Sequence, residues 1–258
     1  MRKILFFDIE STPLITYTWG IYEQNVAKVL QDWYLLCVSH KWGHEKTTYV
    51  TRLTKGRKSE KELVKKVWDL FNEADVIVGH NLKRFDKRKM NAKFLEHGLL
   101  PPSPYDVIDT LTIARSAFAL TSNKLDDLGE LLGLGKKVKH PGIDMWHGCM
   151  NDDEAMWKLM VKYSKQDTVL LERVYEALKI WNPRPPRFYA QYKGEFCCPL
   201  CGESKYQHRG TEERLSCIVE RLQCKCGKWF YGAKTPRDVR DPEEPTPDTR
   251  GAIGFRVV

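Results

Sequence analysis

The chain has 258 residues, with 42 Lys or Arg against 34 Asp or Glu, a formal net charge of +8 and a pI near 9.0. That length fits one domain of average size plus a smaller one, and the basic balance favours an anionic partner, nucleic acid first. No apolar run approaches the eighteen or so residues of a membrane span, so no membrane partner is expected.

The start, Met1-Arg2-Lys3, leads into only four apolar residues and then an acid, too little for a signal peptide. A cytoplasmic location is expected. The cysteines agree with that. Cys37 and Cys149 stand alone, and the other six crowd between 197 and 226. This is the clustering of a metal site in a reducing compartment, not of a disulfide framework.

Ile4 to Phe7 reads as a buried strand, rich in branched and aromatic residues. Asp8 and Glu10 follow two residues apart, so their carboxylates point the same way. Two like charges buried together require a partner, and Mg²⁺ or Mn²⁺ suits carboxylate oxygens; the other reading is a strand that ends in solvent on an acidic tip. Tyr17–Tyr22, Tyr34–Trp42 and Lys46–Leu53 are expected to be further strands of one antiparallel group, turned at Gly43-His44 and Gly56. Ser59 opens a helix through a capping box, with Leu63, Val67, Leu70 and Phe71 as its apolar stripe. Asp75–Gly79 is a strand that ends in His80-Asn81.

From Leu82 a basic helix start is expected, with Phe85, Met90 and Phe94 facing the core. Asp86 within it is either an ion-pair partner or a site residue, since it follows a strand's C-terminal end. Val107–Leu111 leads into a helix to about Phe118. Ser122 or Asn123 is expected to cap the next helix, which stops at Gly133 and Gly135. Lys136–His140 reads as a basic loop, and Asp152 begins a helical region to Trp181, broken near Ser164. The Pro-rich segment 183–189 is a linker, residues 190–235 form a second unit, and 236–258 are a disordered tail with a docking strand at Phe255–Val258.

Three blocks carry a resemblance: Phe7-Asp8-Ile9-Glu10-Ser11, Gly79-His80-Asn81-Leu82-Lys83-Arg84-Phe85-Asp86, and Tyr163-Ser164-Lys165-Gln166-Asp167. In this order they resemble the DEDD (DnaQ-like) superfamily of 3′–5′ exonucleases over residues 1–182. Tyr163, four residues before Asp167, is similar to the tyrosine (DEDDy) branch. That branch includes the proofreading domains of family-B polymerases and the YprB-like nucleases. The resemblance implies an α/β, ribonuclease H-like mixed sheet flanked by helices. It also implies hydrolysis of terminal phosphodiesters of single-stranded nucleic acid, DNA favoured and RNA the alternative, with two Mg²⁺ or Mn²⁺ ions.

By the same resemblance Asp8 bridges the ions, Glu10 and Asp167 join at one, Asp86 holds the other, and Tyr163 orients the attacking water. Thr12, Leu14, Lys83 and Arg84 are expected against substrate. Asn81 is either a turn residue or a substrate support, Phe85 either a core side chain or a support, with the core preferred, and Asp109 either a helix cap or a support of the acids. A non-catalytic nucleic-acid-binding protein on the same fold is the competing function.

Cys198-Pro199-Leu200-Cys201 and Cys224-Lys225-Cys226 offer four thiolates to a structural Zn²⁺ in a zinc ribbon. The second pair has one intervening residue where ribbons usually have two. Cys197 and Cys217 are spare, with Cys217 on the middle strand. Residues 184–235 carry ten Lys or Arg against five Glu, and Tyr192, Tyr206, Trp229, Phe230 and Tyr231 interleave with those cations. Lys228 and Trp229 are expected to touch nucleic acid; docking of a protein on the ribbon or tail is the alternative.

Overall fold

The computed structural model describes residues 2–22, 25–54, 60–183 and 196–236. The turn at Gly56, the cap at Ser59, Tyr192, most of the linker and the tail lie outside these residues. The chain divides into two units, Met1–Phe188 and Tyr189–Val258.

In the first unit, strand β1 (Ile4–Ser11) is the centre of a five-stranded sheet. On one side lie β4 (Leu35–Trp42) and β5 (Tyr49–Arg52), and on the other β6 (Val76–Gly79) and β7 (Asp106–Asp109), in the order β5-β4-β1-β6-β7. β1 runs antiparallel to β4 and parallel to β6, so the sheet is mixed. The helices are α1 (Glu60–Glu73), α2 (Asp86–Glu96), α3 (Thr110–Ala117), α4 (Leu125–Leu131), α5 (Ile143–Met150) and α6 (Glu154–Leu178).

Alternation along β1 separates two cores. Leu5, Phe7 and Ile9 face one, where Phe7 meets Phe71 of α1 with ring centroids 4.7 Å apart. Phe6 faces the other with Leu170, Leu171 and Val174 of α6. Asp8 and Glu10 continue the Phe6 side and therefore face α6.

A polar ladder fixes the register of α6 on the sheet. Cys37 Sγ lies 3.3 Å from Ser164 Oγ, Ser39 Oγ bonds Thr168 Oγ1, and Lys41 pairs with Glu172. The steps are two residues on the strand and four on the helix, about 6.6 and 6 Å, so the rows stay matched. Asp8 stands opposite Ser39 and Glu10 opposite Cys37 in the β1–β4 pairing. The ladder thereby brings Asp167 to the two acids. It also keeps α6 unbroken at Ser164, contrary to expectation, because the buried Ser164 hydroxyl has its partner on β4.

Other expectations are corrected. Tyr17–Tyr22 is not a strand of the main sheet. Among the described residues β2 (Ile15–Thr18) and β3 (Val26–Gln31) pair only with each other, and Trp19, Ile21 and Tyr22 are highly exposed. Helix α5 was not expected, since residues 143–150 show little periodicity. α4 starts after Lys124 without a side-chain cap, and Ser122 instead hydrogen-bonds Asp127. Phe85 is 41% exposed rather than in the core. The loop before α2 turns it outward, while Met90 and Phe94 are buried as expected.

In the second unit β8 (Tyr206–Glu213), β9 (Cys217–Cys224) and β10 (Trp229–Pro236) form an antiparallel sheet with β9 in the middle. Cys217 thus lies on the middle strand. Tyr206, Leu222 and Phe230 make the small core.

Thr168→Val is expected to cost about 1–3 kcal/mol, because it strands the buried Ser39 hydroxyl. The double variant Ser39→Ala/Thr168→Val is expected to recover most of that loss. Urea unfolding of the two single variants, Thr168→Val and Ser39→Ala, and of the double variant measures it. Additive losses would show that the ladder contact contributes nothing.

Candidate active site

One oxygen from each of Asp8, Glu10 and Asp167 lies within 4.8 Å of the others. Asp8 and Glu10 are half-buried on β1, and Asp167 is buried on α6. Asp8 Oδ2 and Asp167 Oδ1 are buried with no hydrogen-bond partner among the described residues. Asp86, the first residue of α2, accepts from the Ile9 amide at 3.3 Å. It is therefore tied to the same strand between the two β1 acids.

Burial and mutual repulsion raise these carboxyls. Burial, then Glu10, Asp86 and Asp167, push Asp8 well above the carboxylate range. Burial and Asp167 lift Glu10 to about 8. Burial lifts Asp86 to about 7 against the amides it accepts from, and burial also raises Asp167. Burial together with Asp167, Glu10 and Asp8 raises the Tyr163 phenol far above its usual value, so it stays protonated at any working pH.

Three neighbours were not anticipated. Lys137, from the basic loop, pairs with Asp167 and donates to Tyr163 Oη at 3.3 Å. Burial opposes its charge, but Asp167, Asp8 and Glu10 outweigh burial and hold its ammonium above the ordinary range. Trp146 of α5 donates from Nε1 to Glu10 Oε2 at 3.2 Å. His140 packs edge-on against Trp146 and Tyr163, with centroids 5.2 and 4.9 Å apart. The sequence signal for Lys137 and His140 was the basic loop at Lys136–His140, and nothing marked Trp146.

The other expected site residues are placed as follows. Asn81 is a turn residue, with φ of +66° and its amide bonded to Asp109 Oδ1 at 3.0 Å. Asp109 fulfils both of its readings. It caps α3 through the Leu111 and Thr112 amides and also takes the Asn81 and Lys83 amides, so it holds the loop that leads to Asp86. Thr12 is buried, its hydroxyl accepting from the Tyr34 amide at 3.0 Å, and it does not face outward. Leu14, Lys83 and Arg84 are exposed. A cleft of about 710 Å³ is lined by His80, Asn81, Arg115, Lys124 and Lys137, so it shares Lys137 with the acids.

In the second unit Cys198, Cys201, Cys224 and Cys226 bring their sulfurs within 4.8 Å of one another. Cys198 and Cys226 are 3.8 Å apart, and Cys201 and Cys224 3.5 Å. A tetrahedral Zn²⁺ with bonds of about 2.3 Å spaces its sulfurs by about 3.8 Å, so the donor set fits that ion. Gly227, with φ of +88°, and the Cys224 amide bonded to the Lys228 carbonyl at 2.9 Å form the turn that tolerates the single-residue spacing. Lys228 is itself buried beside Cys198 and Cys226, not on the outer face where it was expected. Trp229 is exposed.

The sequence profile of the RNase_H superfamily matches residues 5–179. An 85-residue stretch, 32% of this chain, is 33% identical to Protein NEN3 of Arabidopsis thaliana. The family B DNA polymerase from the hyperthermophilic archaeon Pyrobaculum calidifontis superposes with a TM-score of 0.50 at 19% identity, over 70% of this chain. The matched regions span 16% of NEN3 and 25% of the polymerase. The likeness to the polymerase is one of fold.

Two outcomes are expected of these sites. Burial and Asp167 push Glu10 up to about 8 in the fold, against about 4.3 for an unfolded glutamate. Its burial therefore favours the protonated state, and stability is lost as pH rises between those values. Without added divalent cation, Glu10→Gln is expected to melt several °C higher than the parent at pH 9, with the gap closing toward pH 4.5. An equal gap at both pH values would contradict the shift. For the ribbon, one Zn²⁺ per chain is expected. Cys198→Ser is expected to lose it and expose residues 196–236 to protease while the first unit melts unchanged; retention of zinc by that variant would exclude Cys198 as a ligand.

Proposed function

The chain belongs to the RNase_H superfamily, and on that premise we propose that it is a 3′–5′ exonuclease of the tyrosine branch. It acts with Mg²⁺ or Mn²⁺ on single-stranded nucleic acid, DNA favoured, inside the cell. The observation that carries this reading is the triad of Asp8, Glu10 and Asp167, with two buried oxygens lacking partners among the described residues and the Tyr163 phenol and Lys137 beside them.

Asp8, Glu10 and Asp167, with Asp86 added from α2, would hold the two divalent cations. Three converging carboxylates suit a hard cation, and ionised together without one they repel by several kcal/mol. Bound there, the cations supply Lewis acidity and an acidified water. The remaining work falls to side chains. Tyr163, held neutral, orients the attacking water through its hydroxyl and is not the base. Trp146 fixes the rotamer of Glu10 through its indole N–H. Lys137, paired with Asp167 when no cation is present, places a positive charge at the phosphate that develops negative charge. The cleft that shares Lys137 carries Arg115 and Lys124, cations suited to the phosphates of an approaching strand.

Digestion of oligonucleotides labelled at either end tests this. Products are expected to shorten one nucleotide at a time from the 3′ end when Mg²⁺ or Mn²⁺ is supplied. Asp8→Asn is expected to lower the rate by about a thousandfold or more, as loss of several kcal/mol of charge stabilisation requires. Lys137→Ala is expected to cost about ten- to a hundredfold while leaving Mn²⁺ affinity unchanged or tighter, since the competing cation is gone. Cleavage that survives Asp8→Asn, or that begins within the strand, contradicts the proposal.

A further inference from the structure

One face of the ribbon sheet carries side chains that neither the zinc site nor the small core uses. Strand pairing sets Trp229 beside Gln223, and Tyr231 beside Arg221. Residues paired directly share a face. These four therefore project together, opposite Phe230, Leu222 and Cys224, which fill the core. Arg209 joins them from β8. Its Nε donates to Gln223 Oε1 at 2.9 Å, and Arg221 donates to the Arg209 carbonyl at 3.2 Å.

Trp229 is 50% and Tyr231 49% exposed, large fractions for rings on a paired strand. Tyr231 is also fixed in place. The Arg214 guanidinium lies 4.4 Å from its ring centroid, its hydroxyl donates to Glu212 at 2.7 Å, and Arg214 Nε donates to the same carboxylate at 2.8 Å. The face thus presents two aromatic positions about 7 Å apart and three guanidiniums against one carboxylate. Flat π surfaces interleaved with cations match unpaired bases on a phosphate backbone. A duplex hides its base faces and offers no such contact.

We propose that this face is a binding platform for single-stranded nucleic acid. One base stacks on Trp229 and a neighbouring base on the Tyr231–Arg214 pair, while Arg209 and Arg221 take phosphates. The proposal rests on the nucleic-acid reading of the substrate and is independent of cleavage.

The test uses the full zinc-loaded chain carrying Asp8→Asn, so that the strand persists, and fluorescence anisotropy with a labelled dT strand of about 20 nucleotides. Trp229→Ala is expected to weaken binding by about tenfold or more, within the range of one lost base stack, and Trp229→Phe to stay within about threefold. Arg209→Ala/Arg221→Ala is expected to flatten the salt dependence by about one to two phosphate contacts. Zinc content of one per chain verifies the fold of each variant. Unchanged binding by zinc-loaded Trp229→Ala overturns the platform, as does an abasic strand of equal length bound as tightly. Displacement of the strand by a polyglutamate peptide at equal concentration also overturns it, because it reduces the face to a charge patch. A parent chain that binds through Trp229 but cuts nothing with either metal supports the platform and contradicts the exonuclease reading instead.

Discussion

Carboxylates pressed together out of water are the constraint around which the first unit is built. Two unit charges at 4 Å in a partly buried setting repel by about 4 kcal/mol, and Asp8, Glu10 and Asp167 each bring an oxygen within 4.8 Å of the others. The fold tolerates this because each acid sits on an element that cannot yield. Asp8 and Glu10 are on the central strand, flanked on both sides. Asp167 is held by the Ser164, Thr168 and Glu172 rungs on either side of it. Asp86 is held at one end by the Ile9 amide and at the other by the loop that Asp109 braces. In the absence of a cation the strain falls on proton uptake and on Lys137, which brings its ammonium into the groove.

The pairing of Asp8 with Glu10 and of Tyr163 with Asp167 was legible in the sequence because that geometry is local, while the meeting of the two pairs rested on the family resemblance. Period-two spacing aligns Asp8 with Glu10, and four-residue spacing aligns Tyr163 with Asp167, whatever the rest of the chain does. The residues that surround them were not legible, for the complementary reason. Lys137 and Trp146 reach the site from a loop and a short helix whose positions are set by packing against α6, and no local pattern encodes that arrival. Phe85 misled because an apolar residue beside a strand end reads as core, whereas the turn that begins at Asn81 rotates it outward. The polar rungs on β4 and α6 were invisible for a further reason: Ser39 and Thr168 read as unremarkable until the register pairs them.

The two units offer opposite donor chemistries in one chain. The first offers hard carboxylate oxygens, and the second soft thiolates whose spacing already suits a tetrahedral ion. In the ribbon, composition announced aromatics among cations but not their division. Register sends Phe230 and Tyr206 inward and leaves Trp229 and Tyr231 outward, so only half of these rings go to the core.

Calorimetric titration of the zinc-loaded chain with Mn²⁺, in buffers of different ionisation enthalpy, bears most directly on the role of the acids. With Glu10 near 8, Asp86 near 7 and Asp8 raised, a cation that binds them must displace protons. The account predicts release of about one proton or more per chain at pH 7, a smaller release at pH 9, and loss of Mn²⁺ binding in Asp8→Asn. Mn²⁺ binding without proton release at pH 7, or unaltered by Asp8→Asn, would contradict it.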